Sequence, residues 1–219
     1  MNLFPKNILP TKEVKKFILI FYTVGVLGFL IPWTQNLFIA LTTYALLLST
    51  YLLLLYHEKY SIKDILVFSA IALLGFFFEV LGVNTGVIFG SYQYGEGLGI
   101  KIFQTPLLIG VNWLFLTYTA LSISDRLTKN IYLQLTTATT LMLVYDIVME
   151  QLAPIMDMWS WTNSSVPMKN YITWWLIGFL FAGILKGFKI NTRNHLALLL
   201  FLCQFLFFVV LLIYYTLLK

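Results

Sequence analysis

Long apolar runs, separated by short polar or glycine-rich stretches, pattern this 219-residue chain from end to end. A helix needs about 20 apolar residues to cross a bilayer. Seven segments meet or approach that length: Val14–Ile31, Leu37–Tyr56, Ile65–Leu81, Pro106–Ile123, Ile131–Glu150, Tyr171–Leu185 and Leu196–Leu218. Pro32 closes the first. Pro106 opens the fourth, where a first helical turn has no use for the missing N–H. The pattern predicts an all-α integral membrane protein, residues 1–219 forming one seven-transmembrane helix bundle with two aromatic, glycine-rich outer loops.

The charges between these segments alternate. Of the 14 lysines and arginines, Lys6, Lys12, Lys15, Lys16, Lys59, Lys63, Arg126, Lys129, Lys186, Lys189 and Arg193 fall on one side. Only Lys101, Lys169 and Lys219 fall on the other. The positive-inside rule then puts the N-terminus in the cytoplasm and the C-terminus outside, as seven spans require. Composition agrees: 60% of the residues are hydrophobic and 11% charged, less than half the charge of an ordinary soluble domain. Because the basic excess follows topology, it does not point to nucleic acid. Met1–Lys16 has no small-residue cleavage site after a short apolar core and reads as a cytoplasmic tail, not a removed signal. Cys203 stands alone in an apolar run, which leaves no disulfide and no cysteine metal site.

Both long loops, Gly82–Thr105 and Gln151–Asn170, fall on the outer side. The first holds Gly82, Gly86, Gly90, Gly95, Gly97 and Gly99 among apolar and aromatic residues including Tyr92 and Tyr94. Glycine permits positive φ and close backbone approach, so this loop is expected to fold back as a partly re-entrant lid over the bundle. Non-helical backbone is tolerated at that depth only against protein or a cavity. The second carries Trp159, Trp161, Pro167 and Asn170. With Trp113, Trp174 and Trp175, the outer half is unusually aromatic. A weak internal echo links the two halves: Glu79, an aromatic loop, Pro106 and Trp113, then Asp146, an aromatic loop, Pro167 and Trp174. Both hairpins have the same membrane orientation, which would make this a parallel repeat.

Glu79, Asp146 and Glu150 lie in or at the ends of bilayer-length segments. A carboxylate in hydrocarbon costs at least ~2.5–3.5 kcal/mol on insertion scales, so such residues mark a proton-handling or ligand-handling site. Asp146 and Glu150 are four apart and share one helix face. Two carboxylates in apolar surroundings cannot both ionise cheaply, and at least one keeps its proton. A proton-bearing carboxyl in a dry pocket is a general acid. Gly75 and Gly82 flank Glu79 on its own face and would let another element pack closely there. The structural alternative is that the acids only bridge neighbouring groups or pair with Lys101 or Lys169. His57 and His195 lie on the cytoplasmic side, far from the acids. There is no paired aspartate motif for diphosphate, no lysine within the last span for a retinal Schiff base, and no nucleotide fingerprint. The chemistry is therefore expected to need no metal and no cofactor.

The stretch EVLGVNTGVIFGSYQY from Glu79 to Tyr94, with Thr105-Pro106-Leu107 and Asn112-Trp113, resembles the signature of the membrane carotenoid biosynthesis proteins. The carotenoid 1,2-hydratases, also called bisanhydrobacterioruberin hydratases, are of this type. A second block is similar too: Asp146 to Glu150, Pro154, Trp159-Ser160-Trp161, Val166 to Asn170 and Trp174. The likeness spans roughly Glu79 to Trp175. The family pattern sets a proline directly after the position of Glu150; this chain has Gln151 there, with Pro154 later, which bears on the helix end more than on activity.

The resemblance implies cofactor-independent addition of water across the terminal isoprene double bond of an acyclic carotenoid end. It implies a lipophilic carotenoid substrate, the inner cell membrane as location, and other carotenoid-pathway enzymes as candidate partners. Protonating such an alkene gives a tertiary cation, which needs a neutral acid, an aromatic lining and a controlled water. Asp146 is the expected proton donor, with Glu79 positioning water or taking its proton, and Glu150 beside them; exchanging Asp146 and Glu79 leaves the argument intact. Trp113, Trp159, Trp161, Trp174, Tyr92 and Tyr94 would line the site and face the cation, and Asn112 and Asn170 would orient water or the carboxyls. Three rivals stand beside the hydratase: an acid-catalysed carotenoid cyclase, a proton-coupled transporter, and a scaffold for pigment assembly.

Overall fold

A computed structural model describes residues 4–6 and 8–217. The expectations for Met1–Leu3, Asn7, Leu218 and Lys219 lie outside the described residues. Seven helices form among those described: α1 (Thr11–Leu30), α2 (Gln35–Leu55), α3 (Ile62–Thr85), α4 (Leu108–Leu127), α5 (Ile131–Leu152), α6 (Met168–Gly187) and α7 (Ala197–Leu217). Five of them, α2, α3, α5, α6 and α7, are long and apolar enough to cross a membrane. The fold is that of a multi-pass helical membrane protein.

The helices begin and end where local chemistry dictates. Ile31 precedes Pro32, whose ring disfavours helical backbone before it, and α1 stops at Leu30 with Ile31 extended. Ser61 and Asp64 form a reciprocal capping box at the start of α3, satisfying two otherwise unpaired N–H groups. Asn130 caps α5 by accepting from Tyr132 N at 2.9 Å. The fourth helix starts later than predicted. Thr105–Pro106 forms the short strand β3 against β2 (Lys101–Ile102), and α4 opens at Leu108, so Pro106 precedes the helix instead of lying in its first turn.

The less apolar helices have different reasons for falling short. The charges of α1 are confined to its beginning, at Lys12, Glu13, Lys15 and Lys16. The fourth helix is polar because protein surrounds it. It packs against α2, α3, α5 and α7, and Thr117, Thr119, Ser122 and Ser124 are all buried. Thr117 and Thr119 each donate to the carbonyl one turn earlier, at 2.7 Å, so their hydroxyls are satisfied within the helix.

Bonds between connections define the two ends of the bundle. At the lysine-rich end, Lys6 Nζ donates to the His57 carbonyl (2.8 Å) and Asn191 to Glu58 (2.8 Å), while Lys186 pairs with Asp125. His57 sits here, its Nδ1 2.8 Å from Tyr118 Oη. At the opposite end the two long loops meet.

These two loops do not form independent lids. Strand β1 (Tyr92–Tyr94) in the first pairs antiparallel with β4 (Trp159–Trp161) in the second, with Tyr92 opposite Trp161 and Tyr94 opposite Trp159. Gly95 N donates to the Met158 carbonyl and Gly97 N to the Asp157 carbonyl. A side chain at Gly95 would lie 2.2 Å from Asp157 Oδ1, which explains the glycine. The first loop folds back on itself through the β2–β3 hairpin and through bonds from Asn84 to the Phe103 carbonyl and from Lys101 to the Tyr94 carbonyl, but strand β1 belongs to a sheet shared with the second loop.

Candidate functional site

The shared sheet makes sense of the acids. Alternate residues of a strand point to one face, so Tyr92, Tyr94, Trp159 and Trp161 all turn inward and are buried, while Gln93 is exposed. Beneath them lie the C-terminal parts of α3 and α5, bearing Glu79, Asp146 and Glu150 at 3%, 0% and 4% exposure.

Each glutamate accepts three hydrogen bonds. Glu79 Oε2 accepts from Tyr92 Oη at 2.6 Å and Tyr94 Oη at 2.7 Å, and its Oε1 accepts from Trp113 Nε1 at 2.9 Å. Glu150 Oε2 accepts from Trp159 Nε1 at 2.9 Å and Trp161 Nε1 at 2.7 Å, and its Oε1 from Asn170 Nδ2 at 3.0 Å. Asp146, one turn deeper than Glu150, accepts a single bond, from Asn170 Nδ2 at 3.1 Å, and its buried Oδ1 has no partner. Among the described residues no ion pair reaches any of the three. Lys101 instead holds Glu96 at 2.7 Å, and Lys169 is exposed. Burial, and then the adjacent Glu79 carboxyl, push the Tyr92 and Tyr94 hydroxyls far above the ordinary tyrosine range, so both remain protonated and able to donate.

The two halves are alike, but not in the pairing that the sequence echo suggests. Glu79 corresponds to Glu150, not Asp146, since each is the acid gripped by the aromatic pair of its own following strand. Trp113 and Trp174, each seven residues beyond a proline, stack on one another with centroids 4.1 Å apart. On α3 the position one turn deeper than Glu79, where α5 carries Asp146, is Gly75. A Cβ there would lie 2.8 Å from Trp113 Cβ, so one half carries a third acid and the other carries the tryptophan that reaches Glu79. Gly82 gives equally close access on the other side of Glu79, where a Cβ would meet Phe89 at 2.4 Å and Tyr92 Oη at 3.0 Å. Overpacking of this kind costs about 1–3 kcal/mol. Gly75→Ala should therefore lower the thermal midpoint in detergent by several degrees; an unchanged midpoint would show that Trp113 can retreat freely.

Two cavities adjoin the cluster. A small one of about 20 Å³ is walled by Glu79, Glu150, Tyr92, Tyr94, Trp159, Trp161, Asn170 and Trp174. A larger one of about 350 Å³, almost wholly apolar, lies between α1, α2, α4, α5 and α7. Ile109 and Trp159 wall both. Several expected residues sit differently from their predicted places. Asp146 lines neither cavity. Trp113 lines neither and lies behind Trp174. Asn112, a neighbour of Trp113 on α4, faces the large apolar cavity and not the carboxyls. Sequence reading did not single out Ile109, the other element of the shared wall; an isoleucine within an apolar run carries no signal that could have found it.

Fold and site define a polytopic helical membrane protein with a buried carboxyl cluster roofed by aromatic hydrogen-bond donors. The chain belongs to the family of carotenoid biosynthesis proteins, whose sequence model matches residues 35–218. No curated protein and no solved structure matches it.

Proposed function

We propose that the chain is a cofactor-independent carotenoid hydratase, adding water across the terminal isoprene double bond of an acyclic carotenoid end to give a tertiary alcohol. The observation that carries this reading is the small cavity. Its volume of about 20 Å³ suits a single water, which needs ≳ 10–15 Å³ and two to four polar partners. Glu79, Glu150 and Asn170 all border it. An acid-catalysed cyclase would have to keep water from that position.

Hydrogen-bond polarity supports an assignment of roles. All partners of Glu150 are indole N–H or amide N–H groups, which can only donate; Glu150 is the ionised member. The partners of Glu79 Oε2 are hydroxyls, which can accept as readily as donate, so Glu79 can hold a proton. Asp146 lies behind Asn170, away from the cavity, and is the neutral acid that positions Asn170 against Glu150. This moves the proton first expected on Asp146 to Glu79, and gives Glu150 the proton-accepting role first expected of Glu79. Once the chain end displaces the shared wall of Ile109 and Trp159, Glu79 gives its proton to the less substituted alkene carbon, and the tertiary carbon becomes cationic. The rings of Trp159, Trp161 and Trp174 face that charge; a desolvated cation–π contact is worth about 2 kcal/mol. Water adds to the cation, Glu150 takes the released proton, and its return to Glu79 completes the cycle. After transfer, Tyr92 and Tyr94 turn their hydroxyls to donate, together with Trp113, to the new Glu79 carboxylate.

The same reading has α1 and α4 spanning with the other five helices, the N-terminus in the cytoplasm and the site in the outer half of the inner cell membrane. The polar face of α4 meets protein, and the basic residues gather at the far end of the bundle from the acids, as the positive-inside rule asks. The substrate would arrive through the bilayer, directly or from other enzymes of the pathway.

Expression in a bacterium accumulating lycopene, or a carotene with one acyclic end, tests the proposal by chromatography with mass spectrometry. A product heavier by one water is expected. A product of unchanged mass but altered retention would indicate cyclisation, and no product from a folded protein would move transport or scaffolding ahead.

A further inference from the structure

The apolar cavity has a mouth, and the mouth opens sideways. Val24 of α1 and Leu41 and Tyr44 of α2 line it, yet they are 50%, 41% and 67% exposed. These positions lie near mid-length of their helices, so a bilayer-spanning bundle presents the opening to lipid tails and not to water. At its inner end the cavity stops at Ile109 and Trp159, the wall shared with the water-sized cavity.

The lining offers a ligand almost no polar recognition. Tyr22, Gln204 and Tyr145 border it, but Tyr22 Oη lies 2.8 Å from Ser49 Oγ and donates to Gln204 Oε1 at 3.1 Å, and Gln204 Nε2 donates to Tyr145 Oη at 2.6 Å. That chain of bonds satisfies the three residues among themselves. The remainder of the wall is aliphatic and aromatic, apart from Thr42 and Asn112. A charged or strongly hydrogen-bonding ligand would lose its water here and gain little in return.

We infer that this cavity is a lateral binding site for the end of a long polyisoprenoid polyene, entered from the bilayer, with the rest of the chain left among the lipids. The inference rests on the hydratase reading for the identity of the ligand and adds where it binds. Size is consistent with an end and not a whole chain. An apolar cavity of about 150 Å³ takes up benzene, so 350 Å³ holds roughly 14 carbons on that scale, nearly three isoprene units. A chain pushed to the inner wall places its terminal double bond against Trp159. Trp159 donates its indole N–H to Glu150, so an arriving end presses on a direct partner of the ionised carboxylate. Selection for an acyclic end follows: a flat, narrow terminus threads between α1 and α2, whereas a cyclised ring is broader.

The test is retention of pigment by the purified full-length chain, extracted in mild detergent from cells accumulating lycopene. Wild type should keep about one polyene per chain. Ala45→Trp and Thr42→Trp fill the cavity from the α2 wall without touching the acids. Each should lower retention at least ten-fold while the protein still elutes as a folded species; two positions guard against one misfolding. Retention equal to wild type in both folded variants would overturn the site, as would recovery of phospholipid acyl chains with no polyene. Polyene bound by wild type and lost from the variants, with no water adduct formed anywhere, would keep the cavity and remove the hydratase. Water adduct formed equally by wild type and both variants would keep the hydratase and remove the cavity.

Discussion

Glu79→Gln is expected to lower hydration of an acyclic carotene end by about 10²- to 10⁴-fold, the usual contribution of a positioned general acid, while leaving the protein folded. The amide oxygen can still accept from Trp113, and the amide N–H groups can donate to the hydroxyl oxygens of Tyr92 and Tyr94, which reverse their sense without moving. What disappears is the transferable proton. Asp146→Asn should be far milder, less than ten-fold, because Asp146 lines neither cavity and acts through Asn170. Product formed per unit of membrane protein, at fixed carotene, separates the two. An inactive Asp146→Asn beside an active Glu79→Gln would return the proton to Asp146 and require the cluster to rearrange around substrate. The pH profile adds an independent readout: if Asp146 only positions Asn170, its replacement changes the rate without shifting the acidic limb.

How much of this could be read from the chain follows from what a membrane does to sequence signals. Apolar runs announced the helices, and a carboxyl inside such a run is costly enough to stand out, so Glu79, Asp146 and Glu150 were legible one by one. Their arrangement was not. In a soluble helix, polar positions reveal which side faces out. In a bilayer, lipid and core are both apolar, so rotational phase is nearly silent. Asn112 and Trp113 were therefore read together as site residues, although neighbours on a helix point about 100° apart. Trp113 reaches Glu79 and Asn112 turns to the large cavity. The strands were hidden for another reason. Tyr-Gln-Tyr and Trp-Ser-Trp are three-residue alternations, too short to register as strands, and their partners lie in different loops. Pro106 misled because its compatibility with a first helical turn is equally a compatibility with an edge strand. The parallel between halves could be glimpsed through Pro106, Trp113, Pro167 and Trp174, but linear spacing matched Glu79 to Asp146. Only the sheet, which hands each strand's aromatic pair to a glutamate, matches Glu79 to Glu150.

The largest loss of stability is expected from Glu150→Ala. The side chain anchors three obligate donors: the indoles of Trp159 and Trp161 and the amide of Asn170. Removing it strands both indole N–H groups, while Asn170 keeps its bond to Asp146. A buried donor left without a partner costs about 1–3 kcal/mol, so the two indoles together cost about 2–6 kcal/mol, a large part of the 5–15 kcal/mol that typically separates folded from unfolded. At about 2–4 °C per kcal/mol for a chain of this size, the detergent-solubilised midpoint should fall by roughly 10 °C. The damage should begin at the sheet, because β4 hangs on this carboxylate through both of its inward tryptophans and β1 is paired with β4. Hydrogen exchange at Tyr92–Tyr94 and Trp159–Trp161 should accelerate together, ahead of the helices. Glu150→Gln retains one acceptor oxygen and should lose about half as much. If Glu150→Ala left both the midpoint and the exchange of the two strands unchanged, the carboxylate would not be what holds the loops together, and the roof over the site would be held by the strand pairing, ring packing and the Tyr92 and Tyr94 bonds to Glu79.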